Sequence, residues 1–249
     1  MILLGGVVLV WLASNGLGMM WTYAILYRPS LQARRIQPHS ARLRDFHERI
    51  PLVALNLLVL LSVVLIAVWL DGALLSMKWK GWVPFAAQFF ILLFVDDLYF
   101  YLFHRSLHRA SFLYRKIHYV HHRAHAPLPL DYIYVHPLEW MLGALGTVAG
   151  IVVVYFTLHE INGWAFLAFN CQRNLREIFI HSGFRSSIAR LVPLLAPNDH
   201  HDLHHSKLRG NYASTLTLWD HVFGTTIPSE PGVKGFITPR PIRTSPTNS

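Results

Sequence analysis

Sixteen histidines stand against thirteen Asp plus Glu in this chain, and their spacing is the first feature that could do chemistry. His104 and His108 sit four apart, His118, His121 and His122 follow in HYVHH, and His201, His204 and His205 stand in HDLHH; His181 lies alone between the last two blocks. Residues three and four apart share one face of a helix, so each block can offer two or three imidazoles to one location. Four ligands saturate a tetrahedral ion. The blocks supply eight and His181 a ninth, which calls for two ions. Imidazole suits iron, zinc, copper and nickel, so ligand type alone does not choose the metal. Structural or pH-sensing histidines are the competing reading. Three blocks with ligand spacing, all beyond the ends of apolar runs, favour metal, because a polar cluster at the end of a membrane span is costly without a function.

Other polar residues fall on matching faces. Asp97, Tyr101, His104 and His108 form one helical stripe, which makes Asp97 a candidate partner for the second N–H of a ligand histidine. Asn170, Asn174, Glu177 and His181 form another at spacings of 4, 3 and 4. Glu177 can be read as a ligand, an orienter or an ion-pair partner of Arg173.

The elements that carry these residues are apolar runs. The first 27 residues hold no charge, and residues 51–70 form a second uncharged run. A third starts near Gly81 and reaches Phe103 with only Asp96 and Asp97 interrupting, a fourth covers 141–158, and a shorter fifth begins near Ile161. About 20 apolar residues cross the hydrocarbon core as a helix. The first run lacks the basic start of a signal peptide. The expected architecture is an all-α integral membrane protein, with four to five hydrophobic helices and a cytoplasmic His-rich helical cap. Residues 1–80 are expected to be membrane spans and a basic loop, 81–226 a catalytic domain, and 227–249 a flexible tail. Arg28, Arg34, Arg35, Arg42, Arg44 and Arg49 place the first loop in the cytoplasm by the positive-inside rule, and Arg105, Arg109, Arg115, Lys116 and Arg123 place the histidine end there too.

Composition narrows the classes. The chain is 53% hydrophobic and 14% charged, with a net charge of +9, a composition opposite to that of disordered chains. Cys171 is the only cysteine, which excludes an internal disulfide and Cys-based zinc or redox motifs. The positive charge is accounted for by loops beside anionic lipid, and no nucleic-acid module accompanies it.

HRSLH (104–108), HYVHH (118–122) and HDLHH (201–205) resemble the three histidine boxes of the fatty acid hydroxylase/sterol desaturase superfamily. The stretches HHRAHAPLPLDYIYVHPLE (121–139), HSGF (181–184) and HHDLHHSKLRGNYASTLTLWDHVFGT (200–225) are similar to those of its C4-methylsterol monooxygenase branch. The resemblance runs from Asp97 to Thr226. It implies a membrane oxygenase with two iron ions (Fe2+/Fe3+), and it carries the ligand role to His104, His108, His118, His121, His122, His201, His204 and His205, with His181 as a further ligand. His136, in the H-P-L-E element, is placed near the site. His200 and His125 are extra imidazoles, and Glu177 departs from the branch's pattern. The ending TSPTNS shows no dilysine or K-D-E-L-like signal, so a bacterial inner membrane and the endoplasmic reticulum both fit.

The reaction so implied is O2-dependent oxidation of an apolar lipid C–H bond, by hydroxylation or desaturation. The substrate would enter from the bilayer. No G-x-G-x-x-G fingerprint for a flavin or nicotinamide is present, so electrons are expected from an external donor, a ferredoxin or a cytochrome b5-like protein with its reductase. Two other classes compete. A zinc hydrolase would use imidazole ligands, but HERIP (47–51) lacks the second His of H-E-x-x-H, and Pro51 is expected to break that helix. A His-rich metal transporter or storage protein would carry ligands along the membrane interior, whereas here they lie beyond the spans.

Overall fold

Each long apolar run becomes a helix, because only internal hydrogen bonds satisfy the backbone in lipid. The computed structural model describes residues 2–37, 42–71, 75–186 and 191–228. In chain order, α1 is Ile2–Tyr27, α2 is Pro29–Gln32 and α3 is Leu43–Asp71; α4 is Trp82–Arg109, α5 is Ser111–Leu113 and α6 is Tyr119–His122. A π-helical turn, Tyr114–His118, joins α5 to α6, and a 3-10 turn covers Pro129–Ile133. Then come α7 (Pro137–Gly143), α8 (Leu145–Leu158), α9 (Gly163–Ile180), α10 (Asn198–Lys207) and α11 (Leu218–Val222). Two short strands, β1 (Leu75–Ser76) and β2 (Ile161–Asn162), pair in parallel, a small addition to the expected all-α architecture.

Four segments are long and apolar enough to cross a membrane: Ile2–Tyr27, Leu43–Val63, Trp82–Arg109 and Pro137–Leu158. The protein is an integral membrane protein. Exposed Leu9, Leu12 and Met20 on α1, Leu55 and Leu58 on α3, and Val148 and Phe156 on α8 give it an apolar outer face. α3 begins eight residues before its uncharged run and continues through Pro51, contrary to the expected break. Proline removes one intrahelical bond, and membrane helices tolerate that where neighbours compensate. The expected flexible tail lies outside the described residues from 229 onward.

The two carboxylates in α4 are tolerated because each is satisfied. Asp96 pairs with Arg173 Nε at 3.0 Å and accepts from Thr147 Oγ1 at 3.1 Å. Asp97 accepts from Thr215 N, Leu216 N and Trp219 Nε1 at 2.9, 3.1 and 2.9 Å. α8 packs along α4 through Gly146 and Gly150, a small-xxx-small pair that lets backbones approach closely. A Cβ at Gly150 would lie 3.3 Å from Leu92 Cα. The fifth run becomes α9, a half-polar helix in contact with α1, α4 and α10. A core of Ile25, Phe46, Val53, Leu130, Ile133 and Ile178 ties α1, α3, the 3-10 turn and α9 together. This frame places the ends of α4, α6, α9 and α10 against one another.

Candidate metal centre

His104 and His108 lie one turn apart at the end of α4, facing the same way. The chain then turns through α5 and the π-helical turn, an element that recurs at functional sites, and delivers HYVHH to them. Successive residues on a helix diverge by about 100°, so the neighbours His121 and His122 cannot point to one place. His118 and His122 face α4, while His121 faces α9. In α10 the same divergence sends His201 and His205 one way and His204 the other. Two groups result: His104, His108, His118, His122 and His204, and His121, His181, His201 and His205. Within each group one nitrogen per ring lies within 4.8 Å of all the others. All nine residues are buried except His108, which is half-buried. The spacing rule thus holds for the pairs four apart, while the expectation that each H-x-x-H-H block feeds a single location is corrected.

Backbone carbonyls and one carboxylate hold the far side of five rings. Nδ1 donates to Tyr212 O from His104 (2.8 Å), to Tyr134 O from His121 (3.3 Å), to Glu177 O from His181 (2.8 Å) and to Gly210 O from His204 (2.7 Å). His118 Nδ1 donates to Glu139 Oε1 at 2.7 Å. With the proton on Nδ1, Nε2 carries a bare lone pair. The Nε2 atoms of the first group face each other, those of His104 and His118 as lone pairs: His118 Nε2 lies 3.1 Å from His104 Nε2, 2.9 Å from His108 Nε2 and 2.9 Å from His122 Nε2. In the second group the Nε2 separations are 3.4 Å for His181–His121, 3.0 Å for His201–His181 and 3.1 Å for His205–His201. Converging lone pairs repel unless a cation sits among them.

Burial reinforces this state. It pushes His118, His201, His204 and His205 well below 6.5, and like-charge repulsion among the rings adds to it. His121 and His181 are pushed down to about 3, chiefly by burial and, for His121, by His181 beside it. The rings are therefore neutral and able to ligate at physiological pH.

The residues fit a pair of metal ions. Two nitrogens about 2.1 Å from an ion lie about 3.0 Å apart at a right angle and about 3.4 Å apart at the tetrahedral angle. The first group, with five rings and separations of 2.9–3.1 Å, matches right angles and exceeds the tetrahedral count.

Four other candidates sit elsewhere. Asp97 touches no imidazole; its three acceptor bonds anchor the 215–219 segment to α4, because those N–H donors reach it before any ring does. His136 caps α7, its Nδ1 accepting from Leu138 N at 3.2 Å. His200 Nε2 donates to Asp220 Oδ2 at 2.8 Å, so its ring turns away from both groups. Glu177 bonds the Ser214 hydroxyl, and its Oε2 lies 3.7 Å from His181 Nδ1. Sequence reasoning did not single out Glu139, although it stands in the quoted H-P-L-E stretch. It also passed over Asp220, which accepts from Tyr212 N, Ala213 N and Thr225 Oγ1 at 2.9, 2.9 and 2.6 Å and so shapes the loop after α10.

A cavity abuts the rings. His104, His118, His121, His181 and His201 line one end, and Leu60, Phe100, Phe103, Leu107, Val135 and Ala144 line its walls. Leu60 belongs to α3 and Phe100 to α4, both in candidate spans, so the cavity reaches membrane depth.

Four membrane-length segments, with nine imidazoles gathered in two groups beside an apolar cavity, define a membrane protein with a candidate dinuclear metal centre. The family model for fatty acid hydroxylases matches residues 89–225, more than half of the chain, and the chain belongs to that family. It is 39% identical over 146 residues to methylsterol monooxygenase 1 of Gallus gallus, covering 58% of this chain and 47% of that protein. It is 39% identical over 135 residues to the protein of that name from Rattus norvegicus, covering 53% and 44%. To a C-4 methylsterol oxidase of Schizosaccharomyces pombe it is 36% identical over 141 residues, covering 55% and 46%. The chain spans about half the length of the curated relatives it matches. No solved structure matches it.

Proposed function

We propose that this protein is a membrane-bound non-haem di-iron oxygenase that uses O2 to oxidise a C–H bond of an apolar lipid. The C4-methyl group of a sterol or a related position is the target, by hydroxylation or desaturation. The observation that carries this reading is the meeting of two imidazole groups with an apolar cavity at membrane depth. His104, His108, His118, His122 and His204 would hold one ion, and His121, His181, His201 and His205 the other. A bound iron pair supplies the binding and reduction of O2, with electrons delivered from outside.

The chain's own residues do the rest. Carbonyls and Glu139 fix the tautomers of His104, His118, His121, His181 and His204. The cavity walls orient the lipid and exclude water. Five rings in one group favour iron over zinc, whose sites hold four ligands, and the names of the relatives point the same way. Catalysis is assigned to segment 81–226, facing the cytoplasm. A ferredoxin or cytochrome b5-like donor with an acidic surface would dock on Arg105, Arg109, Arg115 and Lys116 by charge complementarity.

The test is metal analysis and turnover of the detergent-purified protein with a 4-methyl sterol, O2 and a reducing donor. Two irons per chain and a product heavier by one oxygen, or lighter by two hydrogens, are expected. His121→Ala and His204→Ala, one from each group, should each lower bound iron and abolish turnover. Full iron retention in both variants, or stoichiometric zinc with hydrolysis, would sink the assignment.

A further inference from the structure

Two stretches of the cap are apolar where a water-facing surface would be polar. Residues 191–197 (LVPLLAP) and 213–219 (ASTLTLW) carry no charge. Leu191 is 76% exposed and Val222 on α11 is 61% exposed, and Val192, Leu194 and Phe223 are exposed as well. The two stretches form one unit. Leu195 and Leu216 pair in antiparallel fashion, Ala196 N donates to Thr215 O at 2.8 Å, and Thr217 N donates to Leu194 O at 2.8 Å. Asp97 fixes that unit against α4 through Thr215 N, Leu216 N and Trp219 Nε1. The proposed reaction gives these apolar side chains no task.

Asp97 also gives their depth. Trp79 and Trp82, both exposed, stand at the end of α4 away from the cap, and such aromatic residues mark a membrane surface. A hydrocarbon core of about 30 Å takes about 20 residues of helix. Counted from Trp82, the core ends near Tyr101, and tilting the helix would only move that boundary further along. Asp97 stands one turn, about 6 Å, inside it. What hangs on Asp97 therefore lies at hydrocarbon depth. The order of side chains along α4 agrees. Leu216 is at the Asp97 level with Leu194 beside it. One turn on, the Phe223 ring stacks on Tyr101 at 5.2 Å. Another turn on, Arg105 places its guanidinium 5.6 Å over the Phe223 ring. Apolar, aromatic and basic residues succeed one another in this order from a bilayer interior to its headgroups. The backbone suits lipid as well: Pro193 has no N–H, and Leu195 N donates to Val192 O at 3.2 Å.

We propose that residues 191–195 and α11 form a wedge sunk into the cap-side leaflet, covered by lipid acyl chains, with Arg105 level with the headgroups. The wedge is a membrane contact in addition to the four candidate spans. It is independent of the lipid-oxygenase reading, because it uses only the membrane character of α4 and the bonds made to it. α10, which carries His201, His204 and His205, begins at Asn198, so the bilayer steadies the entry to that helix.

The test is spin-label accessibility in the full chain, reconstituted in phosphatidylcholine–phosphatidylglycerol vesicles in a Cys171→Ser background. The labelled variants are Leu191→Cys and Val222→Cys in the wedge, Leu12→Cys on the outer face of α1, and Lys207→Cys on the exposed side of α10. Labels at 191 and 222 should behave like the label at 12. They should be open to dissolved O2 and about tenfold less accessible than the label at 207 to a water-soluble nickel chelate, because hydrocarbon excludes polar solutes. Chelate access equal to that at 207 would put the segment in water and overturn the proposal. Shielding from both reagents would also overturn it, by showing that protein, such as a second copy of this chain, covers the wedge instead of lipid. Photolabelling of the unmodified protein by a bilayer-dissolved diazirine keeps the proposal testable if a variant fails to fold. It should mark residues 191–195, and their remaining unlabelled beside a labelled α1 would refute the wedge.

Discussion

His121 and His122 are adjacent in sequence yet belong to different groups, and so do His204 and His205. An H-x-x-H-H block therefore works as a splitter: its i, i+4 pair stays together and the histidine between goes to the other group. The residue types and the pairs at four-residue spacing were legible in the sequence. The division was not, because it depends on which way α6 and α10 face after the turns that precede them. Glu139 was illegible for a similar reason, since its partner His118 lies 21 residues away and only the fold joins them. The same burial that keeps these rings neutral has a cost without metal. Above about pH 6.5 the rings are neutral whether the chain is folded or not, and they contribute nothing to pH dependence. Between about 6.5 and 3 the unfolded chain binds protons that folded His121 and His181 refuse, so stability falls as pH falls. Metal-stripped protein should lose thermal stability steadily from pH 7 to pH 4, while iron-loaded protein should resist until protons displace the ion. A metal-stripped protein whose melting temperature is flat across that range would show that the rings are not held neutral by the fold.

At the scale of elements, the loop after α2 shows what charge patterns conceal. Read from sequence, the six arginines between the first two uncharged runs set topology and look alike, Arg34 and Arg35 of this loop among them. In the structure Arg34 is exposed, whereas Arg35 is buried. Arg35 Nη2 donates to Ala126 O at 2.9 Å and Pro127 O at 2.6 Å. Its guanidinium lies across Gly183, where a Cβ would come 2.8 Å from Arg35 Nε. Next to it, Ile36 N bonds Gly183 O at 2.7 Å, and Gln37 Nε2 bonds His125 O at 2.7 Å and Asp202 Oδ1 at 3.0 Å. One short strap thus ties down the segments that follow His122, His181 and His201. Charged donors buried against carbonyls are each worth about 1.5–3 kcal/mol. Arg35→Ala should therefore lower the melting temperature measurably and weaken iron retention against a chelator, because three ligand-bearing segments loosen together. Arg34→Ala should leave turnover and iron content essentially unchanged. Equal behaviour of the two variants would show that the strap does not position the centre.

For the whole molecule, the spans were legible from run length, since one uninterrupted apolar run of about 20 residues satisfies its own backbone in lipid as a helix. α9 was harder to place, because its polar face is explained only by Asp96 on α4 and Ser214 beyond α10. The assembled fold also gives two ends. Gln37 touches Asp202, so the arginine-bearing loop and the His-rich cap share one end. α4 leaves that end and runs to the other, where Lys80 pairs with Glu160. The proposed cytoplasmic orientation of the cap end rests on the six arginines between the first two uncharged runs, and the proposed donor would have to dock from that same compartment. Glu48 and Trp79 stand near opposite ends and are both exposed, which makes them reporters of sidedness. Glu48→Cys and Trp79→Cys would each be built in a Cys171→Ser background to remove the native thiol. With intact cells or right-side-out vesicles, a membrane-impermeant maleimide should label the position-79 thiol at once and the position-48 thiol only after permeabilisation. The reverse pattern would put the imidazole groups on the far side of the bilayer, away from any cytoplasmic reductant, and would require an electron donor of that compartment instead.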